Sequence, residues 1–272
     1  MSLLEKTKQL LRTYRISPKR SLGQNFLVEP IIFERLTDYA SLNSEDVVLD
    51  IGAGLGFLTH FLAHKCQSVL AVEIDKKLVK VLREQAIELS NVRIFGGDVF
   101  KESRAPFNKI VSVPPYNISS ALILWLFQKR FDCAALVFQK EFAERIVASA
   151  SSKNYGWLSV ITYYYADVEL LDEVPKWMFY PQPEVDSVIM RLKLKMPPFP
   201  LKDETIFKEL VKALFTRRNR KVRNAFPPFL KYKSHMTTQK PKEMANSLPF
   251  FNKRVRELAP EDFGLLANVL VE

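Results

Sequence analysis

The four residues Val113-Pro114-Pro115-Tyr116 combine types that could hold a flat base bearing an amine. Two consecutive prolines fix φ and remove two backbone donors, so the turn is rigid and its carbonyl groups point in set directions. The aromatic ring that follows could stack on such a base while a carbonyl accepts from the amine. The plainer interpretation is that Pro-Pro ends a strand, and this stretch taken alone favours it.

A glycine-rich loop lies upstream of this turn. Gly52, Gly54 and Gly56 follow the apolar run 47–51, which reads as a buried strand, and they precede a helical pattern at 57–63. Such a loop lets a ligand approach the backbone at a helix N-terminus. Dinucleotide sites use the spacing G-x-G-x-x-G, whose third glycine would fall one residue later than Gly56. The spacing therefore argues against a pyrophosphate cofactor and favours S-adenosylmethionine, an adenosine with a charged amino-acid tail.

Two acidic residues follow the next predicted strands. Glu73 ends the run 69–73 and could accept from both ribose hydroxyls, while Asp98 follows the run 92–95 and could accept from an adenine amino group. Each acid alone is a weak signal, because any strand can end in one. The ordered set of glycine loop, two acids and Pro-Pro-Tyr is stronger, since open α/β sheets bind ligands at the carboxyl edge of their strands.

Methyl transfer from a sulfonium fits this set of residues. The donor is already activated, so the protein mainly aligns the reactants. We predict that Val113, Pro114, Pro115 and Tyr116 are the catalytic residues: the Pro114 carbonyl accepts from an adenine amine, and Tyr116 stacks on the base after it has swung out. The proton can leave to water, so no general base is required.

The elements around these residues alternate between strand and helix, which predicts an α/β fold with a mostly parallel, doubly wound sheet. After Gly156 the residues become β-branched and aromatic, and we expect an antiparallel edge there. The predicted strands are 47–51, 69–73, 92–95, 110–112, 134–138, 157–165, 168–173 and 188–192, and the helices among them are 57–63, 75–89, 121–129 and 141–150.

A proline-rich connector at 196–200 predicts a domain boundary. Before it, helical patterns also cover 3–15 and 31–36. Beyond it the signals are helical only. We therefore predict a domain at 1–195 with a basic N-terminal extension, and a small all-α domain at 201–272. Its predicted helices are 204–215, 222–230 and 261–269, and we assign no role to residues 231–256.

The net charge of +10 is concentrated at the two ends of the chain. Residues 1–25 carry a net +5 and residues 201–272 a net +7, so the middle is left with −2. This distribution suggests a polyanionic partner such as RNA. Residues 217–223 form a basic segment, and its alternative interpretation is an ordinary solvated helix face. The predicted RNA-binding residues are Lys19, Arg20, Arg217, Arg218, Arg220, Lys221 and Arg223.

Several other classes of protein are disfavoured. No apolar run has the length of a membrane span, and charges interrupt the N-terminal segment, so we expect neither a membrane protein nor a signal peptide. Cys66 and Cys133 lie far apart, as in a reduced cytoplasmic protein. His60 and His64 have a helical spacing that could hold a metal, but without acidic or cysteine ligands we predict no metal site.

With these residues assembled, the chain resembles the rRNA adenine N6,N6-dimethyltransferase family, in its archaeal form, from about Ser17 to about Ala225. The combination of Gln24-Asn25-Phe26-Leu27 with Pro115-Tyr116-Asn117-Ile118-Ser119 is specific to that family among methyltransferases. The other matching motifs are Asp50 to Gly54, Glu73 to Asp75, Gly97-Asp98, Tyr155 to Val160, Phe179 to Ser187 and Arg218 to Asn224.

The resemblance implies a Rossmann-like class I methyltransferase domain with a seven-stranded sheet at 1–195, and a small helical C-terminal domain at 201–272 that binds RNA or the ribosome. It implies dimethylation of two adjacent adenosines near the 3′ end of small-subunit rRNA. The substrate would be a pre-ribosomal particle of the pre-30S type, and we expect the protein to act as a monomer. The residues expected to bind S-adenosylmethionine are Gln24, Asn25, Leu27, Gly52, Gly54, Gly56, Glu73, Ile74, Asp98, Val99 and Val113.

Val113 departs from the family pattern, which begins this motif with Asn as Asn-Xaa-Pro-Tyr. The Asn oxygen would accept from the target amine, and valine cannot. Losing one such acceptor could lower the rate by roughly 10²–10³-fold. The alternative function is therefore an assembly factor that binds S-adenosylmethionine and the pre-ribosome but methylates weakly or not at all. A methyltransferase acting on another RNA or on small molecules is a third possibility.

Overall fold

The computed structural model describes residues 1–102, 105–232 and 241–271. The chain divides into two compact units, and we call them the sheet unit (Met1–Ala143 and Val168–Leu194) and the helical unit (Glu144–Asp167 and Lys195–Glu272). The helical unit thus includes residues 144–167, which lie before the predicted boundary.

The sheet unit contains a seven-stranded sheet whose order is β4-β3-β2-β5-β6-β9-β7. Four neighbouring pairs are parallel (β2–β3, β3–β4, β2–β5 and β5–β6), and β6–β9 is antiparallel. The mostly parallel α/β sheet predicted from the sequence is confirmed. The strands are β2 Val47–Ile51, β3 Ser68–Glu73, β4 Val92–Gly96, β5 Lys109–Ser112, β6 Cys133–Gln139, β7 Ala166–Val174 and β9 Ser187–Leu194.

The strand order reverses between β2 and β5. The chain runs outward from β2 through β3 to β4, and then returns to place β5 on the other side of β2. In doubly wound sheets such a switch point opens a crevice at the carboxyl ends of the strands. The glycine loop follows β2 and the Pro-Pro turn follows β5, so the fold brings both to this crevice.

A short antiparallel pair lies outside the main sheet. It joins β1, Phe26–Leu27, to β8, Phe179–Tyr180. The Val28 amide extends the pairing by donating to the Met178 carbonyl at 2.8 Å. This pair fixes the segment around Asn25.

The helices of the sheet unit have identifiable start signals. Ser2 and Glu5 cap α1 reciprocally, with N–O distances of 2.7 and 3.2 Å. The Asp75 carboxylate caps α4 by accepting from the Lys77 amide at 2.9 Å. The helices are α1 Leu3–Thr13, α2 Pro30–Tyr39, α3 Phe57–Ala63, α4 Lys76–Gln85, α5 Val99–Glu102, α6 Ser119–Leu126 and α7 Lys140–Ile146, whose last residues belong to the helical unit.

The prediction of a strand at 157–165 is wrong, because Trp157–Tyr165 forms helix α8. Its start is fixed by Ser159, whose hydroxyl accepts from the Gly156 amide at 3.0 Å and donates to the Arg145 carbonyl at 2.6 Å. Six of its nine residues are buried. The sequence of a helix that is buried on most sides has no amphipathic period. Its β-branched and aromatic residues are then typical of a strand.

The rest of the helical unit contains five helices among its described residues. The predicted helix 222–230 is interrupted at Phe226, because Pro227 and Pro228 cannot donate backbone hydrogen bonds. Tyr164 and Phe207 form part of the aromatic core, with ring centroids 5.4 Å apart. The helices are α9 Glu204–Phe215, α10 Val222–Ala225, α11 Pro227–Tyr232, α12 Pro241–Ser247 and α13 Pro260–Asn268. Over the described ranges of both units, every helix is too short or too polar to span a bilayer.

Candidate active site

A buried serine joins the two strands at the switch point. Backbone pairing of β2 with β5 covers Val48–Lys109 and Leu49–Ile110. Beyond it, the Ser112 hydroxyl donates to the Ile51 carbonyl at 2.6 Å and accepts from the Ile51 amide at 3.0 Å. The side chain therefore continues the ladder where the backbone pairing stops. The next residue on each strand, Gly52 and Val113, borders the crevice.

Glu73 is held in a fixed orientation at the end of β3. One carboxylate oxygen accepts from the Gly54 amide at 2.9 Å and the other from the Asp75 amide at 2.8 Å. The residue is only 6% exposed, and burial raises the pKa of its carboxyl. Each oxygen keeps a further lone pair, so the carboxylate can also accept from a ligand diol.

Asp98 lies at the start of α5 across a cavity from the Pro-Pro turn. Its Oδ1 atom accepts from the Phe100 amide at 3.0 Å. Glu73 and Asp98 thus contribute acceptors to a cavity that otherwise has mainly apolar walls. The cavity is lined by Leu22, Ile51, Gly52, Val72, Glu73, Ile74, Gly97, Asp98, Val99, Phe100, Pro115, Asn117 and Ile118.

Two further cavities share Gly52 with the first. One is lined by Leu22 to Phe26, Gly52, Gly54, Glu73, Ile74, Leu78 and Val113 to Tyr116. The other is lined by Asn25 to Leu27, Phe33, Asp50, Gly52 to Leu55, Phe57, Leu58 and Val113. Ten of the eleven residues predicted to bind the cofactor therefore line this group of three cavities.

Gly56 is the exception, since it lines none of the three. It has φ of +87°, and a Cβ atom built on it would lie 2.8 Å from Leu82 Cδ1 of α4. Its missing side chain allows the loop to pack against a helix rather than a ligand.

Asp50 is a site residue that the prediction omitted. It is 1% exposed, borders a cavity, and accepts from the Thr59 hydroxyl at 2.7 Å. Burial raises the pKa of its carboxyl to about 7, against the hydrogen bond from the Thr59 hydroxyl, which lowers it. Its position one residue before the end of β2, at the sheet edge where Glu73 ends β3, is the signal that could have found it.

The Pro-Pro turn carries a half-buried phenol. The Tyr116 hydroxyl lies 2.7 Å from Ser187 Oγ, and its ring meets the edge of Phe179 with centroids 6.4 Å apart. Burial raises the pKa of Tyr116 to about 12. The phenol is therefore protonated at neutral pH and cannot act as a general base there. Val113 packs as a partly buried residue against the core, with no side-chain acceptor to offer.

The predicted RNA contact Lys19 has an internal partner. Its ammonium lies 2.8 Å from the carboxylate of Asp75, to which Gln24 Nε2 also donates at 3.1 Å. Gln24 Oε1 in turn accepts from the Lys19 amide at 2.7 Å. These bonds fix the loop that carries Asn25. Arg20 is exposed at the first position of the short 3-10 helix Arg20–Leu22.

The five predicted cations of the basic segment, residues 217–223, lie in the helical unit and divide into two groups. Arg218 Nη2 donates to the carbonyls of Ser152 and Lys153, at 3.3 and 3.1 Å. Lys221 Nζ donates to Asn252 Oδ1 at 2.7 Å. The other three, which are exposed and have no ion pair among the residues described, are Arg217, Arg220 and Arg223.

Comparison with known proteins gives a consistent result. The sequence model of the family described as ribosomal RNA adenine dimethylase matches residues 16–260. A probable ribosomal RNA small subunit methyltransferase A from Methanosarcina acetivorans is 38% identical over 267 residues, covering 97% of this chain and 98% of the relative. A protein of the same name from Thermococcus gammatolerans is 40% identical over 257 residues, covering 93% of this chain and 89% of the relative.

Solved structures agree with the sequence relatives. A dimethyladenosine transferase from Plasmodium falciparum superposes with a TM-score of 0.77 at 28% identity, covering 89% of this chain and 95% of that one. The 23S rRNA methyltransferase ErmE gives a TM-score of 0.65 at 28% identity, covering 90% and 99%. The sheet is therefore that of a class I methyltransferase, and the chain belongs to the ribosomal RNA adenine dimethylase family.

Proposed function

We propose that this protein transfers methyl groups from S-adenosylmethionine to the N6 atoms of two adjacent adenosines near the 3′ end of small-subunit rRNA, during ribosome biogenesis. The observation that carries the proposal is the meeting of the glycine loop after β2 and the Pro-Pro-Tyr turn after β5 at one crevice. Its expected partner is a pre-30S-type particle, on which the protein acts as a monomer.

The polar and apolar residues that line the cavities fit S-adenosylmethionine. Glu73 has acceptor capacity for a ribose diol, and Asp98 for the adenine amino group. Ile74 and Val99 supply apolar walls for the adenine ring. When bound, the cofactor supplies an activated methyl group on its sulfonium. Asn25 and Gly54 line a cavity together with Val113, Pro114 and Tyr116, the residues proposed to hold the target base.

The target adenine would be held by the turn. The Pro114 carbonyl accepts from the exocyclic amine and favours a more tetrahedral nitrogen, while the Tyr116 ring stacks on the base. With S-adenosylmethionine bound, the nitrogen lone pair would take the methyl group from the sulfonium, and the proton would leave to water. A second cycle with a second donor molecule would give the dimethylated base.

Val113 supports the second candidate function, an assembly factor with weak or no methylation. The Val113 side chain cannot accept from the amine, so the carbonyl acceptors must act without it. The expected loss is roughly 10²–10³-fold in rate relative to a chain with Asn at this position.

The deciding experiment uses labelled S-adenosylmethionine with under-methylated small ribosomal subunits. An active dimethyltransferase transfers label as the chain stands, and Val113→Asn transfers it faster. If only the Val113→Asn variant transfers label, while the variant and the wild-type chain bind the subunits equally well, the wild-type protein is an assembly factor. Label in large-subunit RNA instead would assign a different RNA substrate. Val147→Asn, at an exposed valine of the helical unit, is the matched control.

A further inference from the structure

We propose that residues 250–256, here called the second loop, complete the RNA-binding surface of the helical unit, and that Phe251 stacks on an unpaired base. The inference rests on the proposed function, since it takes RNA as the ligand. It assigns a role to residues for which the sequence alone suggested none.

The second loop lies beside the basic segment and is held there by the backbone. Lys221 and Arg254 form an antiparallel β-bridge. Main-chain hydrogen bonds flank the bridge on both sides, so the two segments share one surface. The bonds run from the Val222 amide to the Lys253 carbonyl (2.9 Å), Arg223 to Phe251 (3.0 Å), Val255 to Arg220 (3.0 Å) and Arg256 to Arg218 (3.0 Å).

Some cations on this surface hold the pairing itself. The Arg254 guanidinium donates to the Asn219 carbonyl, and Lys221 donates to Asn252 of the second loop. Lys253 lies 3.5 Å from Asp262 and 4.9 Å from the centroid of the Phe250 ring. These contacts position the loops and leave other cations for a ligand.

The remaining charge is positive and unbalanced. Residues 216–224 contain five cations and no acid, and residues 250–256 contain three cations and no acid. Arg256 is exposed and has no ion pair within the described ranges, as is true of Arg217, Arg220 and Arg223. Exposed arginines concentrated in this way suit a phosphate backbone.

Phe251 adds an aromatic face to this charged surface. It is 39% exposed, and its carbonyl is fixed by the Arg223 amide. The preceding Phe250 has φ of +61°, a conformation that is unusual for a bulky residue, and its carbonyl accepts from the Lys253 amide at 2.8 Å. Phe250 thus holds a strained backbone conformation, and the hydrogen bond from the Arg223 amide attaches the exposed Phe251 to the basic segment.

An exposed ring in a loop that pairs with the basic segment favours single-stranded over duplex RNA. Bases in a duplex are already stacked on each other, whereas an unpaired base can stack on an aromatic side chain. Such stacking changes affinity by about 5- to 100-fold per base on removal of the ring. A duplex would use the cations alone.

The test measures binding of the full chain to a 20-nucleotide oligoadenylate and to an RNA duplex of equal length, at several salt concentrations. Phe251→Leu keeps an apolar side chain and removes the ring. We expect it to weaken oligoadenylate binding about 10-fold, with an unchanged salt slope and unchanged duplex binding. Arg256→Gln should weaken binding to both RNAs and reduce the salt slope by about one phosphate contact.

Arg130→Gln is the matched control, because Arg130 is an exposed arginine of the sheet unit, in the segment before β6. Unchanged binding by both Phe251→Leu and Arg256→Gln would overturn the inference. The proposed function would stand even then, provided that substitutions in the basic segment weaken RNA binding and that label is transferred to small subunits. Equal losses on duplex and oligoadenylate for Phe251→Leu would refute the stacking role.

Discussion

A Cβ atom built on Gly52 would lie 2.6 Å from Pro115 Cδ, well inside van der Waals contact. Gly52 also has φ of +73°, which side-chain-bearing residues rarely adopt. The glycine loop after β2 and the turn after β5 are therefore packed against each other, with no room for a methyl group between them. In the proposed function, binding of the donor and alignment of the target base depend on this contact.

Gly52→Ala should separate these two segments. We expect a loss of about 2 kcal/mol in the free energy of unfolding, from the unfavourable φ and the steric overlap, together with weaker binding of S-adenosylmethionine. Urea unfolding and calorimetric titration measure the two effects. Gly156→Ala is the control, since Gly156 has φ of −149° and its built Cβ would come no closer than 3.9 Å to a neighbour. Equal behaviour of the two variants would contradict the packing argument.

Tyr116 should act through its ring and not through its hydroxyl. Tyr116→Phe loses the hydrogen bond with Ser187, at a cost of about 1 kcal/mol in stability, and should keep methyl transfer within about 10-fold. Tyr116→Ala should lower it by 100-fold or more, which corresponds to about 3 kcal/mol, the upper end of stacking energies for one base. Because burial raises the pKa of the phenol to about 12, the rate should show no dependence on its ionisation between pH 6 and 9. Equal losses in both variants would argue against stacking.

The exposed cations of the basic segment should account for the salt dependence of RNA binding. Replacing Arg217, Arg220 and Arg223 together by Gln removes charge without disturbing the contacts made by Arg218 and Lys221. The slope of log Kd against log salt for small subunits should fall by about two to three. A triple substitution at three exposed cations of the sheet unit, Lys80, Arg93 and Arg130, is the control and should leave the slope unchanged. An unaltered slope in the first variant would show that RNA binds elsewhere.

Asp50 should make stability depend on pH. Its pKa in the folded state is raised to about 7, so the folded protein holds this proton more tightly than the unfolded chain. The resulting stability is fully present below the unfolded pKa of 3.8 and is lost as the pH rises to about 7. Relative to Asp50→Asn, the wild-type protein should therefore lose on the order of 2–3 kcal/mol of unfolding free energy between pH 5 and 8.

Urea unfolding at pH 5, 6, 7 and 8 measures this difference. Burial also raises the pKa of Glu73. Its contribution to the pH dependence of the unfolding free energy has the same sign in both proteins, so it largely cancels when they are compared. Parallel curves for wild type and Asp50→Asn would show that the carboxyl is ionised throughout the range.

The sheet could be predicted from the sequence because its parallel strands are short apolar runs, several of which end next to a residue of the candidate site. Glu73, Asp98 and the glycine loop all lie at carboxyl ends of strands, and parallel strands bring those ends to one edge. The cavities accordingly contain most of the residues chosen from motifs alone.

The parts that could not be predicted depend on contacts distant in sequence. The sequence of helix Trp157–Tyr165 predicts a strand, because a helix buried on most sides has no amphipathic period in its sequence. The pairing of Phe26 with Tyr180 involves two-residue strands that have no period to detect. Lys19 looks like a free cation until Asp75, 56 residues away, is placed beside it. The role of the second loop follows only from its bridge to the basic segment.

The most direct test of the account is the location of the added methyl groups. Under-methylated small subunits are incubated with this chain and S-adenosylmethionine, and the 3′-terminal fragment of the rRNA is digested and analysed by mass spectrometry. We expect N6,N6-dimethyladenosine at two adjacent positions, and none with Glu73→Ala, which lacks the proposed ribose acceptor. Methylation at other positions, or an unmodified fragment from a chain shown to bind S-adenosylmethionine, would contradict it.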